Sequence, residues 1–223
     1  MPSLSPHFLS LEITSRLRAL PNRKTATVRG LRREYSHQLK DADPKTVLAT
    51  ALQLLNESEF DCRFIAYELV HYHRPALRSL RAKELKQLGR GMDRWEAVDT
   101  FAPLLAGPAW REGQAPDSLI HGWARSKDRW RRRAALVSTV ALNNKARGGK
   151  GVAARTLAVC KLLARDRDDM VVKATSWALR ALAVRDPKAV ERFLAQNREA
   201  LAPRVLREVR NKLTTGLKNP KVR

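Results

Sequence analysis

The residue most able to do chemistry is Asp99, within Asp93-Arg94-Trp95-Glu96-Ala97-Val98-Asp99-Thr100-Phe101. Read as a helix, this stretch puts Trp95, Val98 and Asp99 on one face, because residues three and four apart are helical neighbours. Phe101, Leu104 and Leu105 extend its apolar packing. An unpaired carboxylate among apolar groups is costly to bury. Either Asp99 has a fixed cationic partner, or its face is the wall of a site. A second tryptophan, Trp177, lies in Lys173-Ala-Thr-Ser-Trp177-Ala-Leu-Arg180. Aromatic faces of this kind can hold a sugar or a base, and they attract a cationic ligand.

Two runs offer complementary charge. From Arg125 to Arg133 six cations (Arg125, Lys127, Arg129, Arg131, Arg132 and Arg133) face one acid, Asp128. Most stand near the start of a predicted helix, whose free amides add to the attraction for a phosphate. Downstream, Asn143-Asn144-Lys145-Ala146-Arg147-Gly148-Gly149-Lys150-Gly151 links two helices. Its glycines would let the backbone approach a phosphate, and Lys145, Arg147 and Lys150 would neutralise it. The Gly-Lys-Ser/Thr ending of a nucleotide-binding P-loop is missing.

The whole chain shares this bias. Lys and Arg number 44 against 22 Asp and Glu, a formal charge of +22 over 223 residues. Solubility needs far less, so a polyanionic partner is expected, nucleic acid first. No run is long and apolar enough to span a membrane, and the N-terminal residues carry no signal-peptide pattern. Cys62 and Cys160 fall in apolar helical patterns and are expected as reduced buried thiols in a cytoplasmic protein. His71-Tyr72-His73 is the one histidine cluster and lacks matching acidic or cysteine ligands, so no metal is expected.

These residues must be positioned by helices, since strand alternation and hairpin turns are absent. Helical spacing predicts a first helix through Phe8, Leu11 and Leu17, then Val28 to Leu39, Pro44 to Leu55, and one opening after Glu57-Ser58 and ending at Pro75. Shorter ones cover Leu80 to Leu88 and Asp117 to Arg125. The rest run from Asp128 to Leu142, Val152 to Ala164, Asp168 to Val184, Pro187 to Gln196 and Pro203 to Leu213. The starts at Phe60, Trp95, Trp130 and Met170 are 35, 35 and 40 residues apart. That spacing is near the period of HEAT and armadillo helix pairs. The fold class is therefore all-α, a HEAT-like helical-repeat solenoid with a basic concave face. One domain is expected over residues 1–223, with 1–27 as an N-terminal helix and 214–223 as a basic tail. Equivalent helices would present Trp95, Asp99, Arg133, Lys173 and Trp177 along a common trough.

Trp95-Glu-Ala-Val-Asp99, Trp130-Arg-Arg-Arg133-Ala-Ala-Leu and Lys173-Ala-Thr-Ser-Trp177-Ala-Leu-Arg180, in this order and spacing, resemble the AlkD-type HEAT-like-repeat DNA glycosylases, enzymes of DNA alkylation repair. The resemblance extends from about Val28 to Leu213. It implies Asp99 as the catalytic carboxylate, Trp95 and Trp177 as aromatic walls of a lesion site, and Arg133 beside the DNA backbone. It also implies hydrolysis of the N-glycosidic bond of cationic alkylated purines, N7-methylguanine and N3-methyladenine, in duplex DNA. Catalytic members carry an aromatic on the N-terminal helices, whereas residues 9–34 here contain none ahead of Tyr35. No cofactor is expected, and the protein would act as a monomer associated with the nucleoid. Arg129, Arg131, Arg132, Lys145, Arg147, Lys150, Lys173 and Arg180 complete the expected DNA-binding set.

Two other readings use the same charge: a non-catalytic HEAT-repeat module that binds DNA or RNA, and a scaffold for an acidic protein. Neither requires Asp99, because a carboxylate facing phosphates weakens binding. With several arginine contacts, affinity for duplex DNA should fall at least about a hundredfold between roughly 50 and 200 mM salt. Fluorescence anisotropy of a labelled duplex measures this, and a flat salt response would count against a phosphate-lined trough.

Overall fold

The computed structural model describes residues 5–57 and 59–220. Residues 1–4, Ser58 in the expected opening of the fourth helix, and residues 221–223 of the expected basic tail lie outside them. Among the described residues all regular structure is helical, and the helices pack in series as a helical-repeat fold. The chain forms two compact units, Met1–Met92 and Asp93–Arg223.

The first unit holds α1 (Pro6–Arg18), α2 (Thr25–Gln38), α3 (Pro44–Leu54), α4 (Phe60–Tyr72), α5 (Arg74–Ser79) and α6 (Ala82–Leu88). Helix α3 begins where its sequence signals put it: the Asp43 carboxylate accepts the Lys45 amide at 2.7 Å, with Pro44 in the first turn. On α1 the buried stripe is Leu9, Ile13 and Leu17, while Phe8 and Leu11 face solvent. Phe8 and Leu11 lie off the four-residue stripe, and a helix packed on one side buries only one stripe. Pro75 does not merely end α4. It lies in the first turn of α5, whose Ala76 amide donates to His73 Nδ1 at 3.1 Å.

The second unit begins with α7 (Trp95–Phe101), a π-helical turn (Ala102–Ala106) and α8 (Gly107–Arg111). It continues with α9 (Asp117–Ala124), α10 (Arg129–Asn143), a 3₁₀ turn (Lys145–Arg147), α11 (Ala153–Leu162), α12 (Asp169–Ala183), α13 (Pro187–Gln196) and α14 (Pro203–Thr215). All four repeat starts read from the sequence fall in first turns: Phe60 and Trp95 are the first residues of α4 and α7, and Trp130 and Met170 the second of α10 and α12.

Helix α10 is the centre of this unit. Every residue from Arg133 to Asn143 is buried, because α7, α8, α9, α11 and α12 all pack on it. Its polar side chains are satisfied internally: Ser138 Oγ donates to the Ala134 carbonyl at 2.7 Å, and Asn143 Nδ2 donates to Thr156 Oγ1 at 3.0 Å.

From Trp95 to Arg111 the backbone stays helical through two prolines. Pro103 has no amide hydrogen for the Asp99 carbonyl, and the helix widens into one π turn, with the Gly107 amide donating to the Ala102 carbonyl. Gly107 then lies against α10. A Cβ there would stand 2.5 Å from the Ser138 carbonyl oxygen and 2.6 Å from Ala141 Cβ. Gly107→Ala should therefore destabilise the unit by about 1–3 kcal/mol through overpacking. Gly122→Ala on α9, where an added Cβ meets nothing within 4 Å, should be neutral or slightly stabilising. Urea unfolding midpoints of the two variants measure the contrast, and equal midpoints would count against the close crossing of α8 and α10.

Candidate active site

Asp99 lies near the end of α7, just before the π turn, and its partner comes from the first turns of α10. Arg133 Nε donates to Asp99 Oδ1 at 2.9 Å and Nη2 to Oδ2 at 2.7 Å. This two-bond fork is the strongest arrangement available to an arginine and a carboxylate. The remaining terminal nitrogen, Nη1, donates to the Met170 carbonyl at 2.6 Å, in the first turn of α12. One guanidinium thus joins α7, α10 and α12. The Arg133 side chain is buried, whereas the Asp99 side chain keeps 18% of its surface open to solvent. Of the two readings left open by the sequence, the fixed cationic partner is present, and the carboxylate still reaches the surface.

Burial pushes the Asp99 carboxyl above its ordinary range, against the opposing pull of its hydrogen bonds to Arg133 and of that residue's charge. Trp95 stands one turn earlier on α7 and is 49% exposed. That is a large aromatic surface to leave wet, directly beside an oriented carboxylate on the same helix face. Trp177 is half-buried on α12, two turns beyond Met170 and so on the same side of that helix.

The other expected residues divide into held and free groups. Lys173 Nζ lies 2.5 Å from Asp169, whose carboxyl it pulls below the ordinary range. Arg180 Nε donates to Ser176 Oγ at 3.2 Å, and that hydroxyl donates to the buried Glu208 at 2.6 Å. Arg204 also reaches Glu208, at 2.9 Å. Sequence reading missed this Ser176–Glu208–Arg204 support beneath Arg180, since a glutamate in Arg-Glu-Val-Arg on a basic helix has no distinguishing mark.

Within the basic run only part of the charge faces outward. Arg132 donates to Asp166 at 2.7 Å and to the Ser126 and Lys127 carbonyls at 3.1 and 2.8 Å, closing the loop before α10. Arg129 and Arg131 remain more open, with long contacts to Asp168 at 3.6 Å and Asp128 at 4.0 Å. The helix start is already capped, as Asp128 Oδ1 accepts the Trp130 amide at 2.9 Å. In the glycine-rich loop the close approach is to the chain itself. A Cβ on Gly149 would stand 2.7 Å from the Asn144 nitrogen, and the Gly149 and Gly151 amides donate to the Asn144 and Leu142 carbonyls at 2.8 and 2.9 Å. Its glycines therefore shape the turn, while the Lys145, Arg147 and Lys150 side chains stay exposed. Among the described residues no group of three His, Cys, Asp or Glu is placed to hold a metal ion.

A carboxyl raised in the fold binds its proton more tightly there than in the unfolded chain. Its protonated form favours the fold below the ordinary carboxylate range, and that contribution is lost as pH rises through the raised value. The stability difference between wild type and Asp99→Asn should therefore shift against wild type from about pH 4 to pH 7. Carbon-13 NMR of the Asp99 carboxyl should place its titration above ordinary aspartates, and higher again in Arg133→Gln. A titration unmoved by Arg133→Gln would separate the two residues electrostatically.

The family model described as DNA alkylation repair enzyme matches residues 22–213, a span containing Trp95, Asp99, Arg133 and Trp177. No curated protein matches the chain.

Proposed function

We propose that this chain, which belongs to the DNA alkylation repair enzyme family, hydrolyses the N-glycosidic bond of positively charged alkylated purines in duplex DNA. The observation that carries the reading is the partly open Asp99 carboxylate, fixed by Arg133 at 2.9 and 2.7 Å, with the exposed ring of Trp95 one turn away. A cationic base is already activated to leave. As the bond from the sugar C1′ to the base nitrogen breaks, its electron pair neutralises the base, and positive charge develops on the deoxyribose. Asp99 stabilises that charge and orients a water whose oxygen bonds to C1′, its proton passing to the carboxylate or to solvent.

Arg133 is a positioning residue in this scheme. Burial alone favours a protonated Asp99, and the adjacent guanidinium favours the ionised form that the reaction requires. Trp95 and Trp177 supply aromatic faces for a cationic base and limit access of bulk water. Selectivity then rests on charge, so neutral lesions should be poor substrates. N7-methylguanine and N3-methyladenine fit, and no strand cleavage is expected because Lys173, the lysine expected along the same trough, is held by Asp169. The proposal takes the protein as a monomer on nucleoid DNA in the cytoplasm. No helix among the described residues is long and apolar enough to cross a membrane.

A competing role is favoured by the same contacts: the link from Asp99 through Arg133 to Met170 could serve only to brace three helices of a DNA-binding module. Incubation with methylated duplex and chromatography of released bases separates them. Wild type should release N7-methylguanine or N3-methyladenine without added metal or cofactor, leaving abasic sites that break in alkali. Asp99→Asn should lose about a hundred- to a thousandfold in rate while binding duplex as well as wild type or better. Trp95→Ala and Trp177→Ala should lose less rate but discriminate less between charged and neutral lesions. Base release by Asp99→Asn at the wild-type rate would leave the pair a structural brace.

A further inference from the structure

The Met1–Met92 unit contains a second assembly of aromatic rings, a carboxylate and arginines that shares no residue with the Asp99 site. On α4, Phe60, Phe64, Glu68 and Tyr72 recur every four residues and form one stripe. Glu68 in this stripe is only 1% exposed. Its partners come from α2: Arg29 Nε donates to Oε1 at 2.9 Å and Arg32 Nε to Oε2 at 3.0 Å. Both guanidinium groups also lie over rings, Arg29 at 5.3 Å from the Phe64 centroid and Arg32 at 4.1 Å from that of Tyr72.

Two features exceed what a structural ion pair needs. One buried carboxylate is matched by two guanidinium groups, so the cluster carries a net positive charge. Arg29 is also bonded through Nε alone. Its side chain is 46% exposed, and among the described residues its terminal nitrogens have no partner. Held at one edge by Glu68 and on one face by Phe64, this guanidinium is already ordered before a ligand arrives. Its free edge carries parallel donors at the spacing of two phosphate oxygens. Tyr72, beside Arg32, is 53% exposed.

We propose that Arg29, braced by Glu68 and Phe64, grips a phosphodiester of the DNA backbone, with the exposed Tyr72, stacked on the buried Arg32, forming the adjoining surface. The inference rests on the reading of this chain as a DNA enzyme. It adds a phosphate station that amino-acid composition and charge runs do not single out, since Arg29 stands among many exposed cations.

Anisotropy of a short undamaged duplex, measured across a salt series, tests it with Arg29→Lys, Arg29→Gln and Glu68→Gln. Arg29→Gln should bind about tenfold more weakly and flatten the slope of log affinity against log salt by about one unit. Arg29→Lys keeps the charge but loses the fork and the planar stack, and should still lose about three- to tenfold. Glu68→Gln raises the net charge by one and yet should bind more weakly, because its arginines are no longer held. Arg29→Lys binding like wild type, or Glu68→Gln binding more tightly, would overturn the proposal. Thermal melts report whether Glu68→Gln folds, and if it does not, Arg29→Lys alone decides. A wild-type protein that fails to bind duplex would remove the DNA reading itself, whereas wild-type binding unchanged in Arg29→Lys removes only the phosphate station.

Discussion

The Arg133 guanidinium is shared between a side chain of α7 and a backbone carbonyl of α12. Burying two charges has a large desolvation cost, and a well-packed apolar pair is often as stable or more so. Removing one partner is far worse, because the other charge is then left alone in the interior. The pair therefore constrains the unit more than it stabilises it. Arg133 cannot withdraw to solvent, because the helix that carries it is buried from that residue onward. The direction of the Asp99 oxygens is consequently set by α10 rather than by the helix that bears them.

The same two segments meet again farther along. Gly107, past the π turn, lies against Ser138 and Ala141 of α10. The earlier residues of the two segments, Asp99 and Arg133, meet each other, and so do the later ones, Gly107 with Ser138 and Ala141, so the Trp95–Arg111 segment and α10 run in the same direction. An ion pair at one end and a backbone-close crossing at the other fix the register between them. A regular α-helix through Pro103 would bring its ring against the Asp99 carbonyl. The π turn carries the segment past Pro103, between Asp99 and the crossing, without ending it.

What could be read from the sequence is what local chemistry determines. Asp43, Asp128 and Asp168 announce helix starts because an acceptor two residues ahead of a free amide acts within one turn, and each does cap its helix. The spacing of Phe60, Trp95, Trp130 and Met170 was legible for the same reason. The helix through Pro103 and Pro108 was not, because its continuation depends on α10 receiving Gly107. Repeat register sets Arg133 apart in the run Arg131-Arg132-Arg133 as a trough residue, but it does not reveal the contacts its members make. Helical geometry turns them about 100° apart, and only the fold shows that Arg133 meets Asp99 while Arg132 closes a loop on Asp166. The glycines before α11 suggested a phosphate cradle, yet the backbone they admit is that of α10's own C-terminal end.

Charge supplies the last constraint. Even if every one of the 22 acids held one Lys or Arg, half of the 44 cations would have no acidic partner. The structure shares its acids less evenly than that: Glu68 takes Arg29 and Arg32, and Glu208 takes Arg204 and Lys218. Cations outside these clusters, such as Lys145, Arg147 and Lys150, are exposed and lack such ordering. Two kinds of basic surface result. Ordered guanidinium groups can match phosphate geometry at fixed points, whereas loose lysines add attraction without register. On the proposed reading, in which one sugar is placed beside Asp99, the first kind would serve alignment and the second capture. Both kinds repel themselves in the free protein, so binding a polyanion relieves repulsion within the fold and draws stability and ligand affinity from the same charges.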